Sequence, residues 1–280
     1  MKKIIAVIDG LKYSESVAEY AIYVAKLTNS HLVGVFLDDL TYHSYKIYEL
    51  VSKEGGVNEE KMATLENNDE QTREVSAGKF RKACQEAGLN YTVHHDRNIA
   101  IQELLHESVF ADLLVIGNKE TFTHYEEKLP TRFIRELLSQ VQCPVLVVPK
   151  KFNPFDKAVL LYNGDPGSVY AIRTFSYIFP ELKELDTQVV SVKSTKETLH
   201  VPDNWLMKEF TKRHFSKAEF IVLRGEAEIE IVKQLKGNDE NMLIVLGAYN
   251  RGVVSRWFRP SMADILMEEL NKPLFIAHQK

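Results

Sequence analysis

Two places in the chain have residues of the right types and spacing to hold an anion. In each, a buried-looking apolar run ends in a glycine, Gly117 or Gly247, and a hydroxyl residue, Thr131 or Ser261, opens a helical pattern fourteen positions later. Free backbone N–H groups in such a loop, together with a helix N-terminus, attract phosphate. The second stretch, "VLGAYNRGVVSRWFRPSMADIL" (245–266), adds Arg251, Arg256 and Arg259 and has no acid between Gly247 and Ser261. Asn250 tolerates a left-handed turn, and Tyr249 and Trp257 could stack on a base or anchor the loop. The first stretch is less hospitable. Glu120 brings a carboxylate where a phosphate would approach, and Glu126 and Glu127 deepen the negative character against Lys119, Lys128 and Arg132. Pro130 and Pro260 each lack an N–H, although proline suits the first turn of a helix.

Other candidates are fewer. Asp9 and Asn163 follow apolar runs at what would be the C-terminal edge of a parallel sheet, where ligands gather. Asp9-Gly10 and Asn163-Gly164 are also strong turn pairs. His94-His95-Asp96 is a compact group of metal-ligating types, but neighbours on a strand point to opposite faces, so no shared ion is expected. Cys84 and Cys143 lack metal or disulfide spacing and read as inert thiols. No Gly-x-Ser-x-Gly elbow or Gly-x-x-x-x-Gly-Lys-Ser/Thr loop occurs. Glu59-Glu60 and Glu126-Glu127 read as solvated surface, and no nucleophile is assembled with a base.

The elements that must position these residues are written twice. "IIAVID" and "SVAEYAIYVAKL" near the start return as "AVLLYN" and "SVYAIRTFSYIF"; "DLLVIG" returns as "MLIVLG", and "CPVLVVP" as "KPLFIAH". Four landmarks in one order indicate a tandem duplication, with domains at 1–150 and 151–280. Strands are expected near 3–8, 31–37, 90–95, 112–117 and 144–148, and again near 157–162, 187–193, 218–223, 242–247 and 273–277. Their nearly uninterrupted apolar character suits strands covered on both faces. The fold class is therefore α/β: two similar doubly wound domains, each a five-stranded parallel sheet with helices on both faces. A helix is expected over 73–88. The first copy carries an extra segment over about 41–71, broken at Gly55-Gly56 and again at Asn67-Asn68-Asp69, which reads as a surface excursion or a lid.

Bulk properties set the remaining bounds. A net charge of −4 does not favour nucleic acid as a partner. No stretch has the roughly 18 apolar residues of a membrane span. The apolar run after Met1-Lys2-Lys3 stops at Asp9, too soon for a secretory signal, so a cytoplasmic protein is expected.

With these landmarks the sequence resembles the universal stress protein family, as a tandem two-domain member. Nucleotide-binding members carry Gly-x-x-Gly, nine residues, then Gly-Ser or Gly-Thr after the fourth strand. On that spacing the copies read Gly117, Glu120, Pro130, Thr131 and Gly247, Asn250, Pro260, Ser261, so the outer positions match and both middle glycines are replaced. The resemblance implies an aspartate near the adenosine, where Asp9 stands, with Asn163 as its counterpart. It also implies pairing through the last strands, making the copies an intramolecular pseudo-dimer, with a further homodimer open. Two main readings follow. The first is a non-enzymatic stress-response protein with degraded nucleotide loops, acting through protein contacts or small-ligand sensing. The second is an ATP-binding protein, with slow hydrolysis open, whose site lies in the second copy at Asn163, Gly247, Asn250, Arg251 and Ser261, with Asp9, Gly117 and Thr131 as the first-copy positions. A carrier of a metal or a lipid-like ligand near 41–71 is a third, slighter reading.

Overall fold

The computed structural model describes residues 1–37, 43–45, 58–96, 99–194, 200–237, 241–248 and 261–279. The first half contains strands β1 (Lys3–Asp9), β2 (His31–Leu37), β3 (Tyr91–Asp96), β4 (Leu113–Gly117) and β5 (Val145–Val148). Its helices are α1 (Glu15–Leu27), α2 (Glu59–Glu86), α3 (Ala100–Ser108) and α4 (Arg132–Gln140). The second half contains β6 (Lys157–Leu161), β7 (Asp186–Lys193), β8 (Ala218–Arg224), β9 (Met242–Gly247) and β10 (Leu274–Ala277). Its helices are α5 (Pro166–Ile178), α6 (Asn204–His214), α7 (Ala227–Lys236) and α8 (Met262–Glu269).

All ten strands join one sheet in the order β3-β2-β1-β4-β5-β10-β9-β6-β7-β8. Pairing is parallel within each half, and the seam between β5 and β10 is antiparallel, with Val147 opposite Leu274 and Val145 opposite Ile276. The last strands of the two halves would each be an apolar edge, and here each covers the other.

Alternation along the strands divides the core between the two faces. Ile4, Ala6 and Ile8 of β1 lie on the face that α1, α2 and α5 cover. Ile5 and Val7 lie on the opposite face, which α3, α4, α7 and α8 cover. Each face holds residues of both halves, so the apolar core is continuous across the seam. Burial of one such side chain is worth about 1.5–3 kcal/mol. The connection between the halves is itself packed, with Phe152 and Phe155 lying against Tyr20 and Tyr23 of α1.

Helix α2 departs from the sequence expectation. It is a single helix of 28 residues beginning at Glu59, so Asn67-Asn68-Asp69 lies inside it and does not interrupt it. Asn58 caps its start by accepting the Lys61 amide at 2.9 Å. Asp69 is buried and accepts the Ser44 amide at 2.9 Å, which gives a poor helix former a tertiary role. Gly55-Gly56 and most of 41–57 lie outside the described residues.

Candidate functional site

Because β1 is flanked by β2 and β4, and β6 by β7 and β9, each half has a switch point where neighbouring crossovers leave to opposite faces. At the first switch point Ala6 is level with Val115. Asp9, at the end of β1, therefore emerges beside the loop that follows Gly117. The fold thus brings these two segments to one edge of the sheet.

Asp9 is buried, and its Oδ1 accepts the amides of Leu11 at 2.8 Å and Lys12 at 3.2 Å. It orders the turn into α1. The Lys12 ammonium crosses to donate to the Thr123 carbonyl, tying that turn to the β4 loop.

The loop 118–131 has the form of an anion cradle, but its own acids occupy it. Phe122 has φ +48°, and this left-handed residue after Thr121 turns successive amides toward one point, making a nest. Glu120 Oε1 sits there, accepting from Thr121 N at 3.0 Å and Phe122 N at 3.2 Å. The buried Phe122 ring packs on Phe133 with centroids 4.7 Å apart, which holds the unusual backbone in place. Burial pushes the Glu120 carboxyl up to about 7, and the charge of Asp9 pushes the same way; the Phe122 and Thr121 amides and Lys12 oppose them only in part.

The N-terminus of α4 is occupied in the same way. Thr131 is its N-cap, accepting Ile134 N at 3.2 Å and donating to the Glu120 carbonyl at 2.5 Å. The amide of Arg132 is held by Glu127 Oε2 at 2.6 Å. Two findings qualify the sequence reading. Pro130 lies before the cap and not in the first turn of α4, so the N–H it lacks is one of the loop's and not of the helix's. Glu127 is not merely solvated surface. Its carboxylate takes the place where the dipole and a free amide would attract a phosphate.

At the second switch point Leu160 is level with Val245, which brings the ends of β6 and β9 side by side. Asn163 is exposed; its Oδ1 accepts Asp165 N at 3.0 Å and its Nδ2 donates to Asp165 Oδ2 at 2.7 Å, closing the turn into α5. Gly164 has φ +88° and lies under Pro202, whose Cβ would be 2.7 Å from any added Cβ. Gly247 is required by packing: a Cβ there would come within 2.5 Å of the Gly167 carbonyl oxygen in α5. Gly117 has no such neighbour, the nearest atom being Val17 Cγ2 at 3.4 Å. Ser261 is the N-cap of α8 and forms a reciprocal capping box with Asp264. Asn250 and Arg251, with Tyr249, Arg256, Trp257, Arg259 and Pro260, lie outside the described residues.

The histidine pair divides as its strand position requires. His94 Nδ1 meets Glu107 Oε1 at 2.9 Å, and Lys3 Nζ meets Glu107 Oε2 at 2.8 Å. His95 stacks on Phe36. Among the described residues no group of three His, Cys, Asp or Glu is placed to hold a metal ion. Cys84 and Cys143 are buried free thiols, each pushed up to about 12 by burial. Among the described residues no helix is long and apolar enough to cross a membrane.

A doubly wound sheet with a loop-and-cap cradle beside an acid at the switch point defines the class of protein. The universal stress protein family model matches residues 1–149, more than half of the 280, and the chain belongs to that family. A universal stress protein of Synechocystis sp. is 21% identical over 262 residues, spanning 89% of this chain and 90% of its own length. In three dimensions the chain is similar to a universal stress protein from Archaeoglobus fulgidus, with TM-score 0.71, 11% identity, and coverage of 99% of this chain and 96% of the other. A functionally unknown protein from Pseudomonas aeruginosa PAO1 matches with TM-score 0.63, 13% identity, and coverage of 99% and 92%. At such identities the likeness establishes the fold.

In the first half the amides of Thr121, Phe122 and Arg132 are bonded to Glu120 and Glu127. Sequence reasoning singled out Glu120 in this loop. It missed the nest at Phe122 and the reach of Glu127, because neither has a local pattern.

Proposed function

We propose that this chain is a non-enzymatic, tandem universal stress protein, with domains at 1–150 and 151–280, that acts through protein contacts or small-ligand sensing. Its first half does not hold ATP. The observation that carries this reading is Glu120 seated on the Thr121 and Phe122 amides. A cradle that supplies its own anion keeps the family's architecture and withdraws the donors a phosphate needs. A homodimer of chains, cytoplasmic location and protein partners belong to the same proposal.

A second reading, ATP binding in the second half, rests on the arginine-bearing sequence between Gly247 and Ser261. The capping box weighs against it, since Asp264 places a carboxylate at the start of α8. The test is the nucleotide content of freshly purified protein, followed by calorimetric titration with Mg·ATP. The first reading expects no released nucleotide and no saturable heat. Binding abolished by Arg251→Ala and Arg256→Ala, but untouched by changes at Glu120, would establish the second.

A further inference from the structure

Each half carries a helix after its second strand, and the two helices present opposite charge. In the first half it is α2, packed on β2 and β3 through Phe80, whose ring meets Phe36 and Tyr91. In the second half it is α6, whose Lys208 lies over the Phe220 ring of β8 at 5.9 Å. β3 and β8 are the two outermost strands of the sheet.

Helix α2 has 28 residues and β3 has six, lengths of about 42 Å and about 20 Å, so the first turns of α2 stand beyond the sheet. There Glu59, Glu66 and Glu70 are exposed and, at spacings of seven and four, share one stripe. Glu66 and Glu70 repel each other at that spacing, and a basic partner relieves the repulsion. Lys61 and Lys79, nine residues to either side of Glu70, lie half a turn around the helix from it. Lys79 reaches over Tyr13 in the turn before α1. The glutamate stripe therefore looks away from the molecule.

On α6, Trp205, Lys208 and Lys212 follow one another at three and four residues and are all exposed, Trp205 by 74%. The acid within this helix, Glu209, is paired with Arg213 at 3.3 Å. His214 is half a turn from Trp205 and packs on Tyr177 of α5 at 5.6 Å between centroids. This stripe also looks outward, from the other end of the sheet. An exposed tryptophan flanked by like charges is a binding anchor of the usual kind. The two stripes cannot meet within one chain, because nine steps between strands separate β3 from β8, about 43 Å.

We propose that the α2 stripe of one chain docks on the α6 stripe of a second copy, Glu59, Glu66 and Glu70 against Lys208 and Lys212, with Trp205 as the apolar anchor. The contact rests on the protein-contact reading above; it names a second copy as the partner and these helices as the surface. Two different patches meet, so each copy keeps one stripe of each kind for the reciprocal contact or for a further neighbour. Two short helices bury less than a standard interface, so the association is weak and sensitive to salt.

The experiment is sedimentation velocity of the full chain, without ligand, over a concentration series at low and high salt. Two double variants accompany it: Glu66→Lys with Glu70→Lys, and Lys208→Glu with Lys212→Glu. Circular dichroism melts check that each is folded. The wild type is expected to associate as concentration rises and to dissociate in high salt. Each double variant alone is expected to associate about tenfold more weakly or less still. Their equimolar mixture is expected to recover, because every contact between unlike variants is again complementary. Trp205→Ala is expected to weaken association while leaving its salt dependence, and it serves where a charge variant melts early. A wild type that is monomeric throughout overturns the proposal together with the homodimer. Association that the variants leave unchanged, or a mixture no better than its parts, overturns this surface while self-association stands. Nucleotide is not read here, so either failure is distinct from failure of the reading that the first half holds no ATP.

Discussion

Glu127 Oε2 lies 2.6 Å from the backbone nitrogen of Arg132, the first residue of α4. A helix start of this kind is where a phosphate is ordinarily welcomed, and here a side chain five residues upstream has arrived first. Glu127→Ala is expected to destabilise the protein by about 0.5–1 kcal/mol through the lost cap and dipole interaction. Urea denaturation measures it, and Glu127→Gln should recover only part of the loss.

Thr131 joins the same helix to the cradle, because one hydroxyl accepts from Ile134 N and donates to the Glu120 carbonyl. Thr131→Ala should cost about 1–2 kcal/mol. Thr131→Ser should restore most of it, since both bonds need only the oxygen and its hydrogen. Amide exchange at residues 118–131 should rise in the alanine variant and return in the serine variant.

The two strand-end glycines look equivalent in sequence and are not equivalent in space. Gly247→Ala drives a methyl toward the Gly167 carbonyl and should cost about 1–3 kcal/mol. Gly117→Ala meets only Val17 at ordinary contact distance and should fall within about 0.5 kcal/mol of wild type. Equal losses in paired thermal melts would show that Gly247 has no special packing role.

Glu107 governs part of the acid limb of stability. Burial alone pushes its carboxyl up, but the bonds from Lys3 and His94 outweigh that and hold it below the usual carboxylate range. A depressed folded value means the stabilisation is present above the ordinary glutamate range and is lost as pH falls through the folded value. Glu107→Gln should lower stability near neutral pH by about 1–2 kcal/mol and flatten the acid limb. Denaturation midpoints across a pH series check both parts.

Much of this architecture can be read in the residues themselves. The central strands are legible because each is a short apolar run buried on both faces, and the duplicated landmarks fix their order. Residues 59–72 are not legible as helix, since their mostly exposed, polar surface carries no amphipathic stripe. Asp69 makes sense there through its contacts with Ser44 and His43. At the site, the sequence places Gly117, Thr131, Asp9 and Ser261 correctly at strand ends and helix caps. The missing N–H of Pro130 is visible in one letter, whereas the bonds that Glu120 and Glu127 make to loop amides arise from folded geometry that no spacing encodes.

The most direct measurement follows the amides of Thr121, Phe122 and Arg132 while Mg·ATP is added to millimolar excess. The account predicts that all three resonances stay where they are, because each N–H is already bonded to a carboxylate of its own loop. Saturable movement of these three resonances together would show that the triphosphate displaces Glu120 and Glu127, and would contradict it.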